Sequence, residues 1–171
     1  MIDTVTQPMS IRPEVPADYP FIYDLTMRAF APMAFGDGTE AGSIDRMRDQ
    51  GELALSLVAE EEGKVIGHIA FSPAGIPNVR HWYGLGPISV ELDRQRQGIG
   101  SSLASEGLRQ LRDRGAHGVV LIGNPRVYGP MGFVSNGQLS FRDVPAEIVQ
   151  FVHFEGPEPA GEVTFAKGLE G

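Results

Sequence analysis

Apolar and polar positions fall into two periods along this chain. From Leu53 to Leu92 apolar runs are cut by short polar turns, and from Ile99 to Arg114 they recur with helical spacing. Leu53–Glu60 and Lys64–Phe71 predict two strands joined by the acidic turn Glu61-Glu62-Gly63, a hairpin. Ser72–Trp82, which contains Pro and Gly, predicts a loop, and Tyr83–Leu92 a third strand. Ile99, Leu103, Ala104, Leu108 and Leu111 share one helical face, with Arg109, Arg112 and Asp113 opposite and Gly115 as a C-terminal stop. Gly118-Val119-Val120-Leu121-Ile122 is almost wholly apolar and predicts a buried central strand. Strand, helix and strand in that order predict a right-handed βαβ unit.

The flanks read less sharply. Ser10-Ile11-Arg12-Pro13 predicts a first strand, and Pro16-Ala17-Asp18 a helix start. Ile22, Leu25, Met27, Phe30 and Met33 continue that helix until Gly36-Asp37-Gly38 breaks it. Ser43–Gln50 predicts a second short helix with Ile44 and Met47 inward. Near the C-terminus, Gly137–Phe141 and Glu162–Lys167 are strand candidates around a short helix at Ala146–Val152. The fold class expected is α/β of the α+β type, a mixed central sheet flanked by helices. Residues 1–9 are expected to be a frayed tail and residues 10–168 a single domain.

Composition narrows the function. A chain of 171 residues suits one domain with a sizeable core. The net charge of −8, with no basic stripe, argues against a nucleic-acid partner. Without cysteine there is no disulfide, no thiolate nucleophile and no Cys-ligated zinc. His68, His81, His117 and His153 show no metal-ligand spacing, so no metal is expected. Met1–Ser10 is polar and lacks the apolar core of a signal peptide, and no apolar run reaches membrane-spanning length. A cytoplasmic protein without a membrane partner is expected.

The chemistry concentrates in Gln95-Arg96-Gln97-Gly98-Ile99-Gly100-Ser101, between the strand Leu85-Gly86-Pro87-Ile88-Ser89-Val90 and the long helix. A strand, a glycine-containing turn and a helix start form an anion cradle. Free N–H groups converge there, and the helix dipole adds partial positive charge. Three ligands use such a cradle. A dinucleotide site needs a third glycine, but Leu103 stands in its place. A Walker loop needs Gly-Lys-Ser/Thr, which is missing. The pyrophosphate of coenzyme A is the third.

Gln95-x-x-Gly98-x-Gly100 resembles the Gln/Arg-x-x-Gly-x-Gly/Ala signature of the GNAT superfamily of acyl-CoA-dependent N-acetyltransferases. The Leu85–Val90 strand is similar to that family too, as is the loop Asn124-Pro125-Arg126-Val127-Tyr128-Gly129-Pro130-Met131-Gly132-Phe133 one strand later. The resemblance implies the GNAT fold, with acetyl-CoA as cosubstrate and no metal. It further implies that the strand before the cradle splays from its neighbour, so that backbone groups of Ile88, Ser89 and Val90 pair with the pantetheine arm. The Val90 N–H would face the thioester carbonyl, where negative charge develops. Backbone groups of Gln95, Arg96, Gln97, Gly98, Ile99, Gly100 and Ser101 would hold the pyrophosphate, with the Arg96 side chain toward the 3′-phosphate or in solvent.

By the same resemblance Tyr128 protonates the departing thiolate. Asn124 bonds the pantetheine or fixes its own loop, and Phe133 packs in the core. Phe30, Met33 and Phe35 lie where the family places its acceptor loop. The acceptor would be a primary amine of a small molecule, peptide or protein, and homodimers are common in the family. Some members carry a carboxylate midway along the cradle strand as base; here Gly84 stands there, leaving Glu60, His81 or water. A non-catalytic acyl-CoA-binding module on the same fold is the alternative reading.

Overall fold

A computed structural model describes residues 9–33 and 39–170. The chain opens with strand β1, Ser10–Pro13, and a 3-10 turn at Pro16–Asp18 that leads into helix α1, Tyr19–Phe30. Arg12 and the Val15 N–H both bond the Asp18 carboxylate and lock this entry. Helix α2 is Glu40–Asp49; the expected break at Gly36-Asp37-Gly38 and the residue Phe35 lie outside the described residues. The predicted hairpin is present as β2, Leu55–Glu61, and β3, Lys64–Ala74. Its two turn residues, Glu62 and Gly63, have φ of 52° and 76°, the mirror-image turn that matches strand twist.

Strand β4 is Trp82–Val90, a 3-10 turn covers Leu92–Arg94, and helix α3 is Ile99–Asp113. Strand β5 is Gly118–Ile122 and the one-turn helix α4 is Pro125–Tyr128. The chain ends with β6, Leu139–Ser140, β7, Val149–His153, β8, Gly161–Glu162, and α5, Lys167–Glu170. Six strands make one sheet in the order β1-β2-β3-β4-β5-β7, parallel at β4/β5 and antiparallel elsewhere, while β6 and β8 pair apart from it. The mixed sheet and the βαβ unit are as expected.

Helices cover both faces. Leu57 and Ile69, register partners, pack with Ile99, Leu103 and Leu111 of α3. The adjacent residue Val58 points the other way and packs with Ile22 and Leu25 of α1 and Ile44 of α2. A strand buried on both faces reads as a continuous apolar run, which is why β5 was legible from composition alone.

Several stretches differ from expectation; Gly137–Phe141 is strand only at Leu139–Ser140, and α2 starts at Glu40 rather than Ser43. Ala146–Val152 is not a helix: a 3-10 turn at Ala146–Ile148 gives way to β7, which pairs with the whole of β5. Val149 and Phe151 alternate into the core, and the open edge of β5 decides the outcome over local preference. Glu162–Lys167 is strand only at Glu162, the second residue of β8, and from Lys167 it turns helical. The Ser72–Trp82 loop is shorter, because β3 runs on to Ala74 opposite Trp82. α1 stops at Phe30, short of Met33.

Candidate active site

Strand β4 bends in its middle. Ile69 of β3 stands opposite Ile88, but Phe71 stands opposite Leu85, so Gly86 and Pro87 together face Ala70 alone. This is a β-bulge, which turns a strand and breaks its pairing. On its other side β4 pairs with β5 only through Trp82, Tyr83 and Gly84; from Leu85 to Val90 it has left β5 behind. The expected splay is therefore present, and Leu85-Gly86-Pro87 is its local cause. Ile88 and Val90 present their backbone groups to the opened edge, whereas Ser89, opposite His68, turns its own toward β3 as does Glu91, whose N–H bonds the Ile66 carbonyl.

The opened strand leads to the start of α3. Gly98 occupies the cap with φ of 85°, a left-handed conformation that favours glycine, and no side chain caps the helix. The first intrahelical donor is Ser102, which gives its N–H to the Gly98 carbonyl at 3.0 Å. The N–H groups of Gly98, Ile99, Gly100 and Ser101 are thus left without helical partners. Gln95, Arg96 and Gln97 are exposed beside them, while Ile99 is buried and anchors the turn. A Cβ on Gly100 would approach nothing closer than Ile88 Cδ1 at 3.6 Å, so the fold itself does not demand glycine there.

Side chains brace the cradle. Arg94 grips Glu61 of the hairpin with bonds of 2.6 and 2.7 Å. Gln95 Nε2 donates to the Val90 carbonyl at 3.1 Å, and Arg28 of α1 reaches Glu91 at 3.0 and 2.8 Å. Arg96 makes no ion pair among the described residues. Between α3 and the turn after Tyr128 lies a cavity of about 290 Å³, lined by Ser101, Ser105, Leu108, Pro130 and Met131.

Tyr128 ends α4, one turn beyond β5. Asn124 starts that turn, its Oδ1 accepting the Arg126 N–H at 2.9 Å, so of its two expected roles the structure displays the loop-fixing one. The Tyr128 ring lies edge-on to Phe133, with centroids 6.1 Å apart, and Phe133 is buried as expected. No described residue hydrogen-bonds the Tyr128 hydroxyl. Burial pushes its pKa above the ordinary phenol value, so the hydroxyl holds its proton at neutral pH.

The candidate bases are not gathered here. The Glu60 carboxylate accepts from Arg12 Nε at 3.2 Å. His81 is exposed just ahead of Trp82, at the end of β4 away from the cradle, with its ring edge-on to His117. Gly84 is covered: a Cβ there would lie 2.8 Å from Cδ1 of Phe165. That cover is invisible to a reading of local sequence. His68 is a core residue, fully buried, with Nε2 at 2.8 Å from Ser56 Oγ.

Known proteins share this architecture. The Acetyltransferase (GNAT) family matches residues 19–133. The N-acetyltransferase YhbS of Escherichia coli K12 is 39% identical over 127 residues, covering 73% of each chain. A GNAT family acetyltransferase from Brucella melitensis, solved in complex with acetyl-CoA, is 41% identical, with a TM-score of 0.83 over 94% of this chain and 97% of that one. E. coli YhbS, solved in complex with CoA, superposes with a TM-score of 0.89 at 29% identity, over 99% of this chain and 96% of that one. With splay, open cap and tyrosine loop all inside or beside the matched span, the chain belongs to the GNAT acetyltransferase family and is an acyltransferase.

Proposed function

We propose that the protein transfers acetyl from acetyl-CoA to a primary amine, directly, within a ternary complex. One observation carries this reading: β4 leaves β5 after Gly84 yet continues to Val90, and so runs a backbone edge with no partner strand into the uncapped start of α3. An extended pantetheine arm can add to that edge as a strand does. The open N–H groups of residues 98–101 receive the pyrophosphate, with Gln95, Arg96 and Gln97 around it. Relatives solved with acetyl-CoA and with CoA support the assignment.

In the transfer the amine nitrogen bonds the acetyl carbon and the carbon–sulfur bond breaks. The Val90 N–H faces the oxygen as its charge grows. Tyr128 gives its proton to the thiolate and regains one from solvent. The ammonium proton leaves to water, since Glu60 is held by Arg12 and Gly84 is covered. No covalent enzyme intermediate is needed. The same reading has residues 10–168 act as one domain in the cytoplasm, with a small-molecule or peptide amine as acceptor and a homodimer as the expected assembly.

Calorimetric titration with acetyl-CoA, CoA and NAD in parallel tests the cradle. Binding of acetyl-CoA and CoA but not NAD is expected; failure of acetyl-CoA to bind overturns the reading. Thiol release on a panel of amines then tests transfer, and its absence on every amine favours a binding module.

A further inference from the structure

We propose that Gln150 is a positioning residue for Tyr128, an inference that rests on the reading of Tyr128 as proton donor. Strand β5 closes its ladder with β7 at Ile122 opposite Val149. Gly123, one residue on, keeps half a rung: its N–H donates to the Ile148 carbonyl at 3.1 Å. The return bond is missing, because the Ile148 N–H is used in the 3-10 turn and donates to Pro145 at 3.2 Å. The Gly123 carbonyl is thereby left without its ladder donor.

Gln150 supplies the replacement. Its Nε2 donates to the Gly123 carbonyl at 2.9 Å, and the residue is only 1% exposed. A buried amide between the core residues Val149 and Phe151 is costly unless bonded, so this contact accounts for a residue that core packing alone does not call for. The Tyr128 ring also lies against Gly123. A Cβ on Gly123 would fall 2.5 Å from Cε2 and 2.8 Å from Cδ2, so the ring rests directly on the glycine backbone. Asn124, which caps the helix carrying Tyr128, is the next residue. Gln150 therefore holds the peptide that is both the floor under the ring and the root of its helix. Small displacements of a proton donor reduce the rate of its step far more than they weaken binding at a distance.

The test is a double-mutant cycle on the full chain. Gln150→Met keeps the volume and removes the donor. In the wild-type background kcat is expected to fall about tenfold, with KM for acetyl-CoA within about twofold, because the cradle lies elsewhere. In a Tyr128→Phe background the same change is expected to have almost no effect. An equal loss in both backgrounds, or none in the wild type, overturns the proposal. Gln150→Asn, which retracts the amide by one methylene, is read in the same way if the methionine variant does not fold. If Tyr128→Phe leaves kcat intact, the proton-donor reading fails instead. Positioning is then read by NMR of ring-labelled tyrosine, with the Tyr128 signal assigned from Tyr128→Phe. A shifted signal in Gln150→Met upholds the contact, and an unmoved one overturns it.

Discussion

The ring of Phe165 lies on the backbone of Gly84, so that a Cβ there would meet Cδ1 at 2.8 Å and Cε1 at 3.0 Å. Phe165 is itself buried and held edge-on by Phe141, with centroids 5.1 Å apart. It has little room to retreat. The position midway along β4, the place expected for a carboxylate base, is closed here. Gly84→Glu should therefore not install a base. It should overpack the site and destabilise the protein by about 1–3 kcal/mol. Thermal denaturation reads this directly; an unchanged Tm with faster turnover would show that the ring moves aside.

Tyr128→Phe removes a hydroxyl that no described residue bonds and leaves the ring contacts with Phe133 and Gly123 in place. Stability and acetyl-CoA affinity should stay close to wild type. Turnover should fall by about 10²-fold or more if the phenol protonates the leaving group. Steady-state kinetics beside calorimetry separate the two quantities.

Gly98 and Gly100 should respond differently to substitution. Gly98 has φ of 85°, so Gly98→Ala strains the backbone although no protein atom lies within 4 Å of the new Cβ. A loss of about 1 kcal/mol or more in stability is expected. Gly100→Val starts from helical backbone, with Ile88 Cδ1 at 3.6 Å as its nearest neighbour, and should leave Tm nearly unchanged. Its effect should fall on acetyl-CoA affinity, through the approach to the open N–H groups. A valine variant that binds acetyl-CoA normally would remove Gly100 from the cradle.

His68 should make the protein acid-sensitive in a defined window. Burial pushes its imidazole from the ordinary 6.5 down to about 4, against the pull of the Glu14 carboxylate. Ser56 donates to Glu14 at 2.6 Å, so it accepts from His68 Nε2, which fits a neutral ring. The unfolded chain takes up this proton near pH 6.5 and the folded protein only near pH 4. Stability is thus full above about pH 6.5 and falls by about 3 kcal/mol as pH drops to about 4. The paired carboxylates Glu14 and Asp18, whose pKa values lie below the ordinary range, lose their contributions at lower pH. Urea denaturation between pH 4 and 7 measures the slope, and His68→Phe should flatten it.

Much of the site was legible because its elements are local. The hairpin turn, the helix face from Ile99 to Leu111 and the apolar β5 each follow from a pattern within one short window. The turn before α3 and the loop after β5 carry their own spacing, so the sequence alone marks Gly98, Gly100, Tyr128 and Phe133 as candidates. The helix expected over residues Ala146–Val152 fails for the converse reason. What makes most of them a strand is the free edge of β5, a partner that lies outside the window.

By itself the sequence determined which segments are strand or helix where apolar period is strong, and where an anion could meet a helix start. The tertiary structure decided what each chemical group can do. It bent β4 at Gly86-Pro87 and opened its edge, covered Gly84 with Phe165, tied Glu60 to Arg12, and set the Tyr128 ring on Gly123. These outcomes depend on residues distant in the chain that meet only when both faces of the sheet are packed. Periodicity records which side of an element is buried; it does not record what it is buried against.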